Sequence, residues 1–225
     1  MIQPLIEKKI KLLAFDIDGT IFSSEEIILD TYKEAFEEYK QESGSNLVLP
    51  THSELMAQIG KPVKTIFLNL LPKSEESERD ILSQKVLDIL CRRIARGEGH
   101  VYPEIEPTIR QLHKNKFIIT AASNGRYPYI DTILTKLNIK QYFDSITVLD
   151  YQERKVKADL LLYYKNHYQL KSEEILMIGD RYSDYEAAIR ENTPFLFCKY
   201  GHSDLGEIPE FSKEISKPSE LLEIF

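Results

Sequence analysis

The sequence predicts an α/β fold: a parallel sheet with crossover helices, interrupted by one inserted helical segment. Three observations predict it. Short apolar runs rich in Ile, Leu, Val and Phe recur along the chain, each closed by polar or glycine residues. Stretches with helical periodicity separate most of them. From residue 23 to residue 99 the strand pattern stops and only helix signals remain. Runs that are apolar throughout suit strands buried on both faces, and their alternation with helices suits a parallel sheet.

The first run, 12–15, ends in Asp16-Ile17-Asp18-Gly19-Thr20. In the segment that follows, Ile27, Ile28, Thr31, Ala35 and Tyr39 recur at helical spacing with Glu and Lys opposite. Ser53 reads as the N-cap of a helix over 54–59, and 63–71 and 79–95 read as two more. Gly44, Pro50, Gly60, Pro62 and Pro72 punctuate them, and the acidic cluster 75–78 reads as a solvated helix start. Beyond the segment, helix signals fall at 106–114, 129–137, 158–168 and 183–191. The strands between them are 117–122, closed by Ser123-Asn124-Gly125, and 146–149, closed by Asp150. Two more are 175–178, closed by Gly179-Asp180, and 195–198, closed by Lys199-Tyr200-Gly201. A short helix over 218–225 closes the chain.

Composition narrows the classes. The chain has 225 residues, 42% of them hydrophobic, enough to form one large domain or a core plus an insert. It carries 29 Lys+Arg against 36 Asp+Glu, a net charge of −7, which argues against a nucleic-acid partner. No apolar run approaches the roughly 18–20 residues that span a bilayer, so no membrane partner is expected. The N-terminal stretch does not read as a signal peptide, because charges break its apolar parts. Cys91 and Cys198 are far apart and form no metal-ligand pair, which fits a reducing compartment. The expected setting is cytoplasmic.

The chemistry-bearing residues stand at the polar ends of the apolar runs, where open α/β sheets bind ligands. They are Asp16 and Asp18; Ser123 and Asn124; Lys155; and Asp180 with Asp184. Taken singly, each has a plain structural reading. Asp16-x-Asp18-Gly19-Thr20 is compatible with a polar turn, and Ile21, Ser23 and Ser24 lack the later ligands of a calcium loop. Lys155 lies in a charged stretch that suits a solvated face, and Asp180 and Asp184 suit a helix start. Together they make a stronger case. Two like charges about 4 Å apart repel by roughly 4 kcal/mol at an effective dielectric near 20. Carboxylates gathered at neighbouring strand ends are tolerable with a lysine and a divalent cation among them. All-oxygen ligands suit Mg²⁺ shared with a substrate phosphate.

FDIDGT at 15–20, AASN at 121–124, Lys155 and IGDRYSDYEAA at 178–188 are similar to the four motifs of the haloacid dehalogenase superfamily. The order of the motifs and the strands before them agree, and the resemblance covers nearly the whole chain. The helical insert after the first motif resembles the cap of the phosphoglycolate phosphatase and β-phosphoglucomutase branch. The resemblance implies a Rossmann-like three-layer core at 1–22 and 100–225 and a helical cap at 23–99. It implies Asp16 as nucleophile, Asp18 as general acid/base, and Lys155 as the neutralising lysine. Ser123 and Asn124 would bind the substrate phosphate. Mg²⁺ would be held by Asp16, Asp18 (through its backbone carbonyl), Asp180 and Asp184. Gly19 would allow the tight turn, and Thr20 would fix the loop.

Three departures from the family pattern stand out. Both prolines of the third motif are absent, so Lys157 competes with Lys155, which register favours. Asn192 and Glu104 stand where glycine is common. The implied activity is Mg²⁺-dependent hydrolysis of a small phosphate monoester, such as a phosphoglycolate-, sugar- or nucleotide-phosphate-like metabolite. The alternatives are a phosphomutase on the same fold and a catalytically silent binding module. Dehalogenation has no use for Asp18. Lys61 and Lys64 are candidate substrate-facing lysines, and Arg126, Tyr127 and Tyr129 are candidates to line the cleft, the tyrosines reading better as helix packing. His202 is a further candidate near a strand end. The expected assembly is a monomer or homodimer.

Overall fold

A computed structural model describes residues 9–209 and 212–225. The main sheet has six strands in the order β5-β4-β1-β6-β7-β8. These are β1 (Leu12–Phe15), β4 (Ile118–Ser123), β5 (Ser145–Val148), β6 (Ile175–Gly179), β7 (Phe195–Cys198) and β8 (Glu214–Ile215). Every pairing in it is parallel. β1 is central, with Phe15 beside Ala121 of β4 and beside Ile178 of β6. Three motif-bearing strand ends are therefore neighbours.

The apolar runs are strands because both faces are covered. Leu13 and Phe15 pack with Ile105, Ile109 and Leu112 of α5 (Ile105–Lys114) and with Ile130, Ile133 and Leu134 of α6 (Tyr127–Lys136). Leu12 and Ala14 point the other way. They join Leu160, Leu161 and Tyr164 of α7 (Lys157–His167) and Ala187 and Ala188 of α8 (Tyr182–Glu191). This is the three-layer α/β architecture the sequence predicts. Each large side chain buried there stabilises the fold by roughly 1.5–3 kcal/mol relative to exposure. α9 (Leu221–Ile224), preceded by a 3₁₀ turn at Pro218–Glu220, closes the chain.

Between β1 and α5 lie four helices: α1 (Glu25–Ser43), α2 (His52–Met56), α3 (Val63–Leu70) and α4 (Glu76–Ala95). They share a hydrophobic core of their own, including Tyr32, Phe36, Phe67, Leu82 and Ile89. α1 packs along α4, and α4 also packs on α6 of the main body. Two details differ from the sequence reading. The N-cap of α2 is Thr51, not Ser53: its hydroxyl accepts from the Glu54 N–H, and Glu54 accepts from the Thr51 N–H. The segment is also entered and left through a two-strand antiparallel pair, β2 (Phe22–Ser23) and β3 (His100–Val101). Two residues are too few to carry a periodicity, and the same brevity hides β8.

Two positions typical of glycine hold other residues in the left-handed conformation. Glu104 precedes α5 at φ 66°, and Asn192 ends α8 at φ 54°. Side chains accept that conformation at a modest cost, asparagine least of all. Among the described residues, no helix is long and apolar enough to cross a membrane.

Candidate active site

β1 ends at Phe15, so Asp16 emerges at the carboxyl edge of the central strand, 3% exposed. Its N–H still donates to the Ile178 carbonyl at 2.8 Å, which fixes the backbone beside β6. Asp180 and Asp184 follow β6, and both are completely buried. One carboxylate oxygen from each of Asp16, Asp180 and Asp184 lies within 4.8 Å of the others. Asp184 is held by the N–H groups of Asp180 (3.1 Å) and Arg181 (2.9 Å) at the start of α8. Asp180 accepts the His202 N–H at 2.6 Å. Close backbone approach makes this packing possible. Gly19, at φ +81°, faces Asp180 so tightly that an added Cβ would lie 2.0 Å from Oδ2.

The lysine of the cluster is Lys157, which corrects the register-based preference for Lys155. Lys157 Nζ lies 2.9 Å from Asp16 Oδ1 and 2.5 Å from Asp184 Oδ1, with its side chain 3% exposed. Lys155 is exposed, and its N–H donates to Asp159. The cause is the loop between β5 and α7. Asp150 Oδ1 accepts from the N–H groups of Gln152, Glu153 and Arg154, folding those residues into a tight turn. Asp159 then accepts from the Lys155 and Val156 N–H groups, so Lys157 is the first residue of α7. The Asp at the third helical position was the signal that places Lys157 at the helix start.

Burial and mutual repulsion set the electrostatics of the cluster. Burial raises the Asp16 pKa above its ordinary value, with Lys157 pulling against it. Burial, then the charges of Asp184 and Asp16, holds Asp180 well above the usual range. Burial pushes Asp184 up to about 6, again against Lys157. For Lys157 burial disfavours the charge, but Asp16 and Asp184 outweigh it and raise the pKa. Three buried carboxylates thus face one ammonium, and this all-oxygen donor set fits a divalent cation such as Mg²⁺.

Asp18 is placed differently from the other acids. Its carboxylate is not among the three whose oxygens converge. Oδ1 accepts from the Ser24 hydroxyl (3.0 Å) and N–H (3.3 Å), and Oδ2 accepts from the Tyr129 hydroxyl at 2.7 Å. Burial, then the Asp18 charge, holds the Tyr129 phenol far above its ordinary pKa. Tyr129, read from sequence as better suited to packing, does both: its ring is in the core and its hydroxyl is in the site.

Ser123 ends β4, next to β1, and Asn124 follows it; both are 5% exposed. The Ser123 hydroxyl accepts the Gly125 N–H at 3.1 Å. Asn124 Nδ2 donates to the Gly60 carbonyl of the helical segment at 2.8 Å, while its buried Oδ1 has no partner. Together with Asp16, Asp18 and Tyr129 they border a cavity of about 110 Å³ roofed by α1, α3 and α4. The roof is largely apolar, with Tyr32 stacked on Phe67 at 5.8 Å. Lys61 and Arg126 reach the cavity wall. Lys64 instead pairs with Glu76 at 3.4 Å on the exposed side. Tyr127 is 47% exposed and borders nothing in the cavity. His202 lies at the edge of the site, with Nε2 2.8 Å from the Ser23 hydroxyl.

Residues 13–198 match the haloacid dehalogenase-like hydrolase family. The chain belongs to that family. A phosphoglycolate phosphatase from Vibrio parahaemolyticus is 24% identical, with 98% of each chain covered. One from Nitrosococcus oceani is 26% identical, with 87% of each covered. Solved structures share the fold. A predicted phosphoglycolate phosphatase from Haemophilus somnus superposes with a TM-score of 0.81 at 19% identity, covering 96% of this chain and 98% of the other. A predicted phosphatase from Clostridium acetobutylicum does so with a TM-score of 0.78 at 24% identity, covering 95% and 97%. The chain is accordingly a hydrolase of the phosphatase type.

Proposed function

We propose that this hydrolase cleaves a small phosphate monoester in a Mg²⁺-dependent reaction, through an aspartyl-phosphate on Asp16. The observation that carries the reading is Asp16 itself. It is a buried carboxylate at the end of the central strand, paired with Lys157 and opening on the same cavity as Asp18. Asp16, Asp180 and Asp184 would hold the cation, which when bound supplies Lewis-acid stabilisation of phosphoryl charge. Asp16 would attack phosphorus, forming an acyl-phosphate bond between its carboxylate oxygen and phosphorus as the bond to the leaving oxygen breaks. Asp18 would give a proton to that oxygen and later take one from the water that hydrolyses the intermediate. The charge of Lys157 works against the effect of burial on Asp16, favouring its carboxylate form. Ser123 and Asn124, at the end of the adjacent strand, would hydrogen-bond the phosphoryl oxygens.

The cavity limits the substrate. A cavity of about 150 Å³ holds a benzene molecule, so the 110 Å³ present here suits a leaving group of a few heavy atoms. That favours a phosphoglycolate-sized ester, the activity named for the relatives, over a nucleotide. A cytoplasmic setting is part of the same proposal.

The test is phosphate release from a panel of phosphoglycolate, sugar phosphates and nucleoside monophosphates. Each is run with Mg²⁺, with chelator and with Asp16→Asn. Turnover that requires metal and is lost in Asp16→Asn is expected, fastest with the smallest esters. Turnover that survives in Asp16→Asn contradicts the reading.

A further inference from the structure

We propose that Tyr129 is a positioning residue for Asp18, aiming the carboxyl group that exchanges protons with the leaving oxygen. The proposal rests on the reading of Asp18 as the general acid/base. The Asp18 carboxylate is clamped from two sides of the molecule. Ser24, immediately before α1 of the helical segment, donates twice to Oδ1. Tyr129, in the first turn of α6 of the main body, donates to Oδ2 at 2.7 Å. The phenol is 6% exposed and borders the cavity together with Asp16, Asp18 and Ser24.

The ring of Tyr129 is fixed by packing rather than by that bond. It belongs to the main hydrophobic cluster with Ile130, Ile133 and Leu134. Gly125 leaves room for it, since a Cβ there would lie 3.3 Å from Tyr129 Cδ1. The hydroxyl therefore approaches Asp18 from a rigid base. With only the Ser24 contacts on Oδ1, the carboxylate is free to turn about its own axis. Proton transfer falls steeply when donor and acceptor leave hydrogen-bonding geometry, so a fixed second contact sets the rate of that step.

The test compares two substrates with wild type, Tyr129→Phe and Asp18→Asn. One is the fastest alkyl monoester of the panel, whose leaving oxygen needs a proton. The other is acetyl phosphate, whose small acetate leaving group departs without one. The quantity read is kcat/KM, which reports the step up to cleavage of the substrate. Tyr129→Phe is expected to lower kcat/KM for the alkyl ester roughly tenfold, the scale of one hydrogen bond to a charged group. For acetyl phosphate it is expected to stay within about twofold. Equal losses for both substrates would assign Tyr129 to packing alone and overturn the proposal. No loss for either would overturn it too. Asp18→Asn separates the two levels of the argument. A large loss selective for the alkyl ester upholds Asp18, so that failure of Tyr129→Phe then counts against the positioning role only. Undiminished alkyl turnover in Asp18→Asn would remove the acid/base reading, and the proposal with it.

Discussion

Charge is handled in opposite ways at the two ends of this molecule. At the carboxyl edge of the sheet, Asp16, Asp180, Asp184 and Lys157 are buried together, each at most 4% exposed. On the outer face of the helical segment, Glu34 pairs with Arg92 and with Arg93, which in turn pairs with Glu98, all with side chains at least 20% exposed. The buried set is unbalanced towards negative charge and held by backbone that permits close contact. The exposed set is balanced and solvated. The first arrangement offers an oxygen donor set that suits a cation; the second stabilises helices a little and does no chemistry.

Substitutions at the two ends should therefore differ widely in effect. Lys157→Met is expected to lower kcat by about 10²–10³-fold, the scale seen when one preorganised charge-stabilising group is removed. Lys155→Met, two residues away, should stay within about twofold, because its side chain is solvated. Steady-state phosphate release checks both, and equal losses would erase the distinction. Gly19→Ala comes next. Its Cβ would meet Asp180 in a left-handed backbone, so a loss of about 2–3 kcal/mol in folding stability is expected from denaturant titration.

A smaller effect separates the ends by pH. In the metal-free fold, Asp184 is raised to about 6 from an ordinary 3.8, and Asp16 and Asp180 are raised as well. A raised carboxyl binds its proton more tightly in the folded than in the unfolded chain. Metal-free stability should therefore fall as pH rises from the unfolded value through about 6. Mg²⁺ should offset that loss, so its thermal stabilisation should be larger near about pH 7.5 than near about pH 5. Differential scanning fluorimetry would show this, and a Mg²⁺ shift independent of pH would count against the cluster as the cation site. Smallest of all, Glu34→Gln should cost less than about 1 kcal/mol in thermal or chemical unfolding, as exposed ion pairs usually do.

The sheet was legible because its strands are short, uniformly apolar runs with polar ends, and all five predicted runs lie within a residue or two of strands. β2, β3 and β8 were not, since two residues show no alternation. The N-cap of α2 was legible in principle: Thr51 and Glu54 have the spacing of a capping box. In the site, Asp16 and Asp180 stand directly after strands, where strand position dictates side-chain position; Asp18 follows in the turn after Asp16, and Asp184 lies in the first turn of α8. Lys155 and Lys157 stand in a loop, where the turn built by Asp150 decides which one reaches the cluster. Tyr129 has an apolar ring and a polar tip, so a pattern of burial records the ring and is silent about the hydroxyl.

The most direct test of the central claim is to look for phosphate on Asp16 during turnover. The enzyme is mixed with substrate and Mg²⁺, quenched within a turnover, reduced with borohydride and digested for mass spectrometry. An acyl phosphate is reduced to the alcohol, so homoserine at position 16 in the wild type, and nowhere in Asp16→Asn, is the predicted result. Rapid phosphate release with unmodified Asp16 in every quench would contradict the account.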